Sequence, residues 1–398
     1  MSDKNNKTLK PGWRRVKFGE VVRLSKARSQ DPLADGIERY VGLEHLEPGD
    51  LRIRSWGSVA DGVTFTSMFQ PGQVLFGKRR AYQRKVAVAD FSGVCSGDIY
   101  VLETKDAQVL LPELLPFICQ TDAFFDHAVG TSAGSLSPRT NWTSLADFEF
   151  ALPSMEAQKL ILSVLTSYSA LDDNYASANR CALDLLGSHA NAIFSNRKYD
   201  LVSFEKVLTR QPQSGLYKAQ EFLGRGTKIV NMGELFGFDT IDSSIDMKRM
   251  ELTQEEVSKY QLTPDDLLFG RRSIVLEGAG KCSMIGDLQE PVIFESSILR
   301  VTVNPEVVLP QFIFEWLRSP KGTQQITRIR SFTTVAGIAG SDLKRIVVPV
   351  MPIKEQLAIS DELSSMRASV GALSQRQTAN RALKKTILEE VLGGRDVH

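Results

Sequence analysis

Residues 153–194 read PSMEAQKLILSVLTSYSALDDNYASANRCALDLLGSHANAIF. Mostly apolar or small residues recur at Ile161, Val164, Tyr168, Leu171, Tyr175, Ala178, Ala182, Leu185, His189 and Ala192, in alternating steps of three and four. That spacing keeps one narrow seam facing a partner helix, as in a coiled coil. No proline interrupts the run after Pro153. At 1.5 Å per residue it predicts a rod of roughly 55 Å.

The stretch comes twice. Pro352-Ile-Lys-Glu-Gln-Leu-Ala-Ile opens a second run through Ile359, Leu363, Met366, Val370 and Leu373, then Leu383, Ile387 and Val391. Gln158 with Ile161 corresponds to Gln356 with Ile359, and Ala178-Asn-Arg-Cys-Ala-Leu to Ala379-Asn-Arg-Ala-Leu. Two long helices with the same entry sequence predict a pair that packs together.

The intervening segments repeat as well. Val16-Lys-Phe-Gly-Glu-Val-Val matches Val202-Ser-Phe-Glu-Lys-Val-Leu, and Arg39-Tyr-Val-Gly-Leu matches Lys228-Ile-Val-Asn-Met. Pro71-Gly-Gln-Val-Leu-Phe-Gly-Lys-Arg matches Pro264-Asp-Asp-Leu-Leu-Phe-Gly-Arg-Arg, and Leu111-Pro112 matches Leu309-Pro310. The offset grows from 186 residues at Val16 to 201 at Ala178, so insertions separate anchors that keep their order. A period this long is a tandem duplication and not a solenoid. Within the first copy, strands are expected at Arg14–Phe18, 39–43, 74–77, 85–89, 99–102 and 148–152, a helix over Leu110–Phe125, and a Gly/Ser/Thr/Pro-rich loop at 130–141.

Composition narrows the class. The 398 residues allow two or three domains, and a net charge of +1 hides any local basic patch. No apolar run reaches the length of a membrane span, and the polar N-terminus does not look like a signal peptide. Cys95, Cys119, Cys181 and Cys282 form no Cys-x-x-Cys pair. Reduced, structural cysteines in a cytoplasmic protein are the expectation, and zinc is not.

The order of these phrases resembles the specificity subunit of type I restriction–modification enzymes, HsdS. The resemblance rests on Pro264-Asp-Asp-Leu-Leu-Phe-Gly-Arg, on Phe312-Ile-Phe-Glu-Trp-Leu-Arg-Ser, and on the helix entry Pro352, Glu355, Gln356 and Ile359. The first copy departs slightly, with Ala157-Gln158 where the pattern has Glu-Gln. The resemblance covers residues 13–392. It implies an α+β fold with two similar α/β target recognition domains, at 13–152 and 199–351. Helical spacers at 153–198 and 352–398 would form an antiparallel coiled coil and give the halves a pseudo-two-fold relation. Each recognition domain would read one half of a bipartite site in double-stranded DNA. The helices would set the spacing and dock two methyltransferase subunits. Restriction/translocase subunits would join them. No cofactor would bind this chain; S-adenosylmethionine, and ATP and Mg for restriction, would sit on the partners.

The residues themselves carry a DNA signal. Lys78-Arg79-Arg80 with Arg84-Lys85, and Arg271-Arg272, each follow a strand and a glycine at the same register of the repeat. Guanidinium groups on such a hairpin tip can bridge phosphates or take guanine O6 and N7 in two hydrogen bonds. Tyr82 lies inside the first cluster; Arg139, Arg328 and Arg330 are further candidates.

Catalytic motifs fail. The nearest approach to Asn-Pro-Pro-Tyr is Asn304-Pro-Glu, and no Phe-x-Gly-x-Gly turn is recognised, so no S-adenosylmethionine pocket is expected. Gly278-Ala-Gly-Lys281 lacks the first glycine of a phosphate loop and has Cys282 after the lysine, and reads as a turn. His45, His127, His189 and His398 have no ligand-spaced partners. The chain reads as a recognition subunit without chemistry of its own. A two-headed specificity subunit of another methylation-based defence system is one alternative; a protein-only coiled-coil adaptor is the other.

Overall fold

The computed structural model describes residues 9–196, 199–332 and 335–393. The first eight residues of the polar N-terminus and His398 lie outside the described residues. The chain forms two compact units, residues 1–176 with 375–398 and residues 177–374.

In the first unit Arg14–Lys17 pairs antiparallel with Glu149–Leu152, Val16 opposite Phe150. One four-stranded antiparallel sheet runs Val22–Leu24, Ile99–Thr104, Val74–Gly77, Val86–Val88. Val74–Gly77 is buried throughout, which is why it is apolar at successive positions and does not alternate. A second sheet runs Gly57–Ser58, Arg39–Val41, Gly93–Cys95, Ser67–Phe69, with its central pair parallel.

Two local expectations change. Phe18 does not end a strand; it opens a helical turn, Phe18–Val21, that turns its ring into the core 4.9 Å from Phe124. The helix expected over Leu110–Phe125 is broken. A 3-10 turn at Pro112–Leu114 and a helical turn at Leu115–Ile118 stop before Thr121, whose hydroxyl accepts the Phe124 N–H and starts a new helix, Asp122–Gly130. Thr121-Asp122 is an N-cap signal that an apolar count passes over.

The second unit repeats the plan. Asp200–Ser203 pairs with Val347–Val350, Val202 opposite Val348. A five-stranded sheet runs Gln213–Ser214, Ile298–Val301, Leu267–Gly270, Cys282–Ile285, Thr240–Ile241. A three-stranded sheet holds Leu223–Val230 between Arg249–Met250 and Val292–Phe294. Its helix Pro310–Leu317 begins on the proline that matches Pro112, a position where the missing N–H costs nothing.

The two long helices are Met155–Asn196 and Ile353–Val391. They run antiparallel, since partners on one descend as those on the other ascend. In the first unit Leu165 shares a core with Leu388 and Leu392, the Asn380 amide donates to Tyr168 O (3.1 Å), and the Gln377 amide donates to Asp172 Oδ1 (3.3 Å). In the second, Ser374 meets Asn179 (3.4 Å) and His189 meets Glu362 (2.7 Å).

The seam differs from the apolar reading. Ile161, Tyr168, Tyr175 and Ala182 face inward or lie half-buried, as expected. Between them the inward positions are Leu165, Asp172, Asn179, Leu186 and Ile193, each one residue later than expected, while Leu171 and Leu185 are exposed. On the second helix Leu383 is exposed and Asn380 is buried in its place. The middle of the seam is polar and satisfied across the pair: Asp172 also takes the Arg381 guanidinium at 2.7 Å. Polar seam residues fix the register of paired helices at some expense of stability.

Candidate nucleic-acid interface

In the first unit, residues 78–85 connect the antiparallel strands Val74–Gly77 and Val86–Val88 around a single 3-10 turn, Ala81–Gln83. Arg80 and Arg84 bracket that turn at φ 53° and 56°. Non-glycine residues avoid this region because Cβ crowds the following carbonyl. The surroundings hold both in place. The Arg80 N–H donates to Pro138 O (2.7 Å), and Arg84 donates to Gln120 O (3.2 Å) and Asp122 (2.5 Å) while lying 4.5 Å over the Phe125 ring. Strained, over-determined backbone is characteristic of functional loops.

The loop is braced by a second one. Arg79 and Arg139 pair their backbones, and both side chains reach Asp98, at 3.2 and 2.7 Å. Burial opposes ionisation of Asp98, but hydrogen bonds from Arg139 and Arg79 outweigh it and hold its carboxyl below the usual range. Ser137 accepts from Arg79 (3.0 Å) and Arg80 (3.3 Å). Lys85 donates to Leu43 O (2.7 Å), and the Lys78 ammonium lies 4.6 Å over the Tyr100 ring. Tyr82 is exposed at the turn.

The second unit builds the same two-loop platform. Arg272–Ser273 follows Leu267–Gly270 and pairs with Ala336–Gly337, which pairs with Ser331–Phe332. Arg272 opposite Gly337 and Ser331 opposite Gly337 reproduce Arg79 opposite Arg139 and Ala133 opposite Arg139. Arg271 donates to Ser296 O (3.3 Å), and Arg330 ties the turn through Ala279 O (2.7 Å) and Glu277 O (3.4 Å). Arg272 and Arg328 are exposed.

The eleven candidates therefore divide by environment. Arg79, Arg84, Lys85, Arg139 and Arg330 are bound to protein groups and shape the loops. Lys78, Arg80, Tyr82, Arg271, Arg272 and Arg328 have no carboxylate partner among the described residues; Arg80 is held by a hydrogen bond to Ser137 and Arg271 by one to Ser296 O, and these six are the candidates left to meet a ligand. The sequence reading missed Asp98, Ser137 and the apolar turn Ile274-Val275-Leu276. Extending the repeat to Gly97-Asp98-Ile99 against Ser296-Ser297-Ile298 exposes the first: Lys78 N–H donates to Asp98 O (3.0 Å) as Arg271 N–H does to Ser297 O (2.7 Å). The second platform thus has a serine where the first has its neutralising carboxylate.

One motif was overlooked. Phe222-Leu-Gly224-Arg-Gly226 has the Phe-x-Gly-x-Gly spacing of an S-adenosylmethionine turn. Here its glycines lie within a strand, Leu223–Val230, exposed in its first half, with Arg225 paired to Glu251 at 3.0 Å, so the glycines continue into a strand and do not themselves open a helix. Gly278-Ala-Gly-Lys281 is a turn, and its Lys281 ammonium is 3.4 Å from Asp239. The histidines make local contacts: His45 accepts the Gly42 N–H (2.9 Å) and His127 meets Ser144 O (2.7 Å). The four cysteines are free, and burial pushes the Cys95 thiol up to about 12. No described helix is long and apolar enough to cross a membrane.

Each of the two α/β units carries a basic loop in the same register of the repeat and contains part of both long helices. Residues 47–176 match the type I restriction modification DNA specificity domain. The specificity subunit of EcoKI from Escherichia coli K12 is 24% identical over 306 residues, 70% of this chain and 64% of that subunit. The MjaVIII specificity subunit from Methanocaldococcus jannaschii is 20% identical over 424 residues, covering 96% of this chain and 92% of that one. Among solved structures, a chain of a type I R-M system studied for complex assembly and conformational transition superposes with a TM-score of 0.60 at 18% identity, covering 96% and 98% of the two chains. The type I S subunit from M. genitalium gives 0.57 at 13%, covering 100% and 99%. The chain is related to the specificity subunits of type I restriction–modification enzymes and shares their fold.

Proposed function

We propose that this chain is the DNA-recognition subunit of a type I restriction–modification complex, each unit reading one half of a bipartite duplex site. The observation that carries this is the repeated platform: two loops that diverge after their shared basic start are braced in the same register, and both are edged by cations without carboxylate partners among the described residues. Such groups supply the phosphate contacts that position a protein on DNA and the bidentate contacts that select guanine. The paired helices set the separation of the half-sites and dock two methyltransferase subunits. The chain itself is non-catalytic. S-adenosylmethionine belongs to the methyltransferase partners, and ATP and Mg to restriction subunits, in the cytoplasm.

The test is binding of the full chain, alone and with its methyltransferase partner, to a library of duplexes at several salt concentrations, followed by mapping of methylated bases. Salt-dependent selection of a two-part motif is expected. Methyl transfer by the purified chain alone, or binding indifferent to salt, would overturn the reading.

A further inference from the structure

The two platforms match in backbone and differ in chemistry at one register. Beyond Arg79 opposite Arg139, the first unit continues with Arg80 N–H bonded to Pro138 O and then, one register further on each strand, with the buried Ala81 and with Ser137, whose hydroxyl accepts from Arg79 and Arg80. The second continues from Ser273 opposite Ala336 to Ile274 and Val335. Ile274 is 92% exposed, Val275 53%, Leu276 44% and Val335 44%. Single exposed apolar residues are ordinary. Three in succession, with a fourth at the adjoining register, are a liability unless something covers them.

The turn is built to hold them outward. Arg330 pins it through Ala279 O and Glu277 O, and Ser273 Oγ accepts the Val275 N–H at 3.2 Å. Gly278 lies so close to the Phe236 ring that a Cβ there would stand 2.2 Å from it. Arg271 and Arg272 precede the turn, Arg328 stands in the last turn of the neighbouring helix, and no carboxylate pairs with any of them among the described residues. An apolar tip whose flanking elements carry three arginines suits a polyanion with apolar features on its inner face. Duplex DNA presents these as thymine 5-methyl groups in the major groove.

We infer that the second unit reads its half-site by apolar contact of Ile274 and Val335 with thymine methyl groups, whereas the first, with the buried Ala81 and the hydroxyl of Ser137 at the matching places and Arg80 one residue earlier, reads by hydrogen bonds. This rests on the proposal that the platforms bind DNA. It requires a thymine in the second half-site.

The experiment uses the complex of the full chain with its methyltransferase partner and duplexes in which deoxyuridine replaces each thymine of the second half-site in turn. Removing the critical methyl should weaken wild-type binding roughly tenfold, the low end of what one methyl contributes in an apolar contact. Ile274→Ala with Val335→Ala should weaken binding to the thymine duplex by a similar factor and bind thymine and uracil duplexes equally. The salt slope and the first half-site should not change, because no phosphate contact is lost. A second half-site without thymine, or equal wild-type binding to uracil and thymine duplexes, would overturn the inference while salt-dependent binding persisted. Loss of partner assembly in the variant, with DNA preference intact, would also overturn it by assigning the tip to protein contact. Salt-independent binding by the wild type would instead defeat the DNA reading itself.

Discussion

Gln158 and Gln356 make the same three hydrogen bonds in the two units. Gln158 accepts the Leu111 N–H (2.9 Å) and donates to Val109 O (2.8 Å) and Pro153 O (3.0 Å). Gln356 accepts the Leu309 N–H (2.8 Å) and donates to Val307 O (2.9 Å) and Met351 O (2.7 Å). Both side chains are buried. Each amide therefore fastens the start of a long helix to the loop that launches its unit's proline-initiated turn or helix.

Replacing either glutamine by alanine strips one buried N–H and two carbonyls of their partners. A loss of about 2–4 kcal/mol is expected, since each unsatisfied buried group costs roughly 1–3 kcal/mol and water recovers part of it. Urea denaturation measures it. A loss below about 1 kcal/mol in both variants would mean the three groups find other partners.

A buried pair anchors the second long helix. Glu315, on Pro310–Leu317, is 1% exposed and meets Arg367 at 2.7 Å. Arg367→Ala leaves a buried carboxylate uncompensated and should cost about 3 kcal/mol. The double variant Glu315→Leu, Arg367→Met should recover much of that, because no charge remains to be desolvated. If the double variant is as unstable as the single one, the site depends on the pair's geometry rather than on charge balance.

Asp98 should give the first platform an acid-sensitive brace. Its folded pKa lies below the usual carboxylate value, through Arg139 and Arg79 acting against burial. Its stabilising contribution is thus complete above the ordinary carboxylate range and is lost as the pH falls through the lowered folded value. Asp98→Asn should be less stable than wild type at pH 7 by roughly 1–2 kcal/mol, with the gap closing at low pH. Thermal melts across pH check this; a constant gap would show that ionisation of Asp98 contributes nothing.

Much of this architecture could be read from residue order. The paired glutamines, the two Leu-Pro helix starts and the Leu-Phe-Gly strands occupy equivalent places because each repeats with the backbone it serves. The seam was misjudged for a physical reason. An apolar count selects Leu171 and Leu185, whereas the helices face each other through Asp172 and Asn179, polar residues that meet partners on a distant segment. The site was legible in its location and less so in its chemistry. Arg79 and Arg84 look like free cations beside Lys78 and Arg80, and only Asp98 and Asp122, brought in from other elements, distinguish them.

That division makes the basic loop testable residue by residue. Lys78 and Arg80 face no carboxylate among the described residues, so Lys78→Ala should leave the fold intact and Arg80→Ala should cost only its hydrogen bond to Ser137, about 1 kcal/mol. For a phosphate contact, each should lower the slope of log affinity against log salt by about 0.9; for a base contact, the slope holds and discrimination falls by roughly 1–3 kcal/mol at one position of one half-site. Arg84→Ala is different. It removes the nearer of the two cations on Asp122, the hydrogen bond to Gln120 O and the cation over Phe125, so stability should fall first and affinity only with the fraction folded. Arg271→Ala and Arg272→Ala should act like Lys78 and Arg80 on the other half-site. Binding isotherms at four or more salt concentrations, read beside melting temperatures, separate the two groups. If Arg84→Ala weakens binding at unchanged stability while Lys78→Ala and Arg80→Ala bind as wild type, the braced side of the loop is the one that meets DNA, and the assignment of outward and inward cations is reversed.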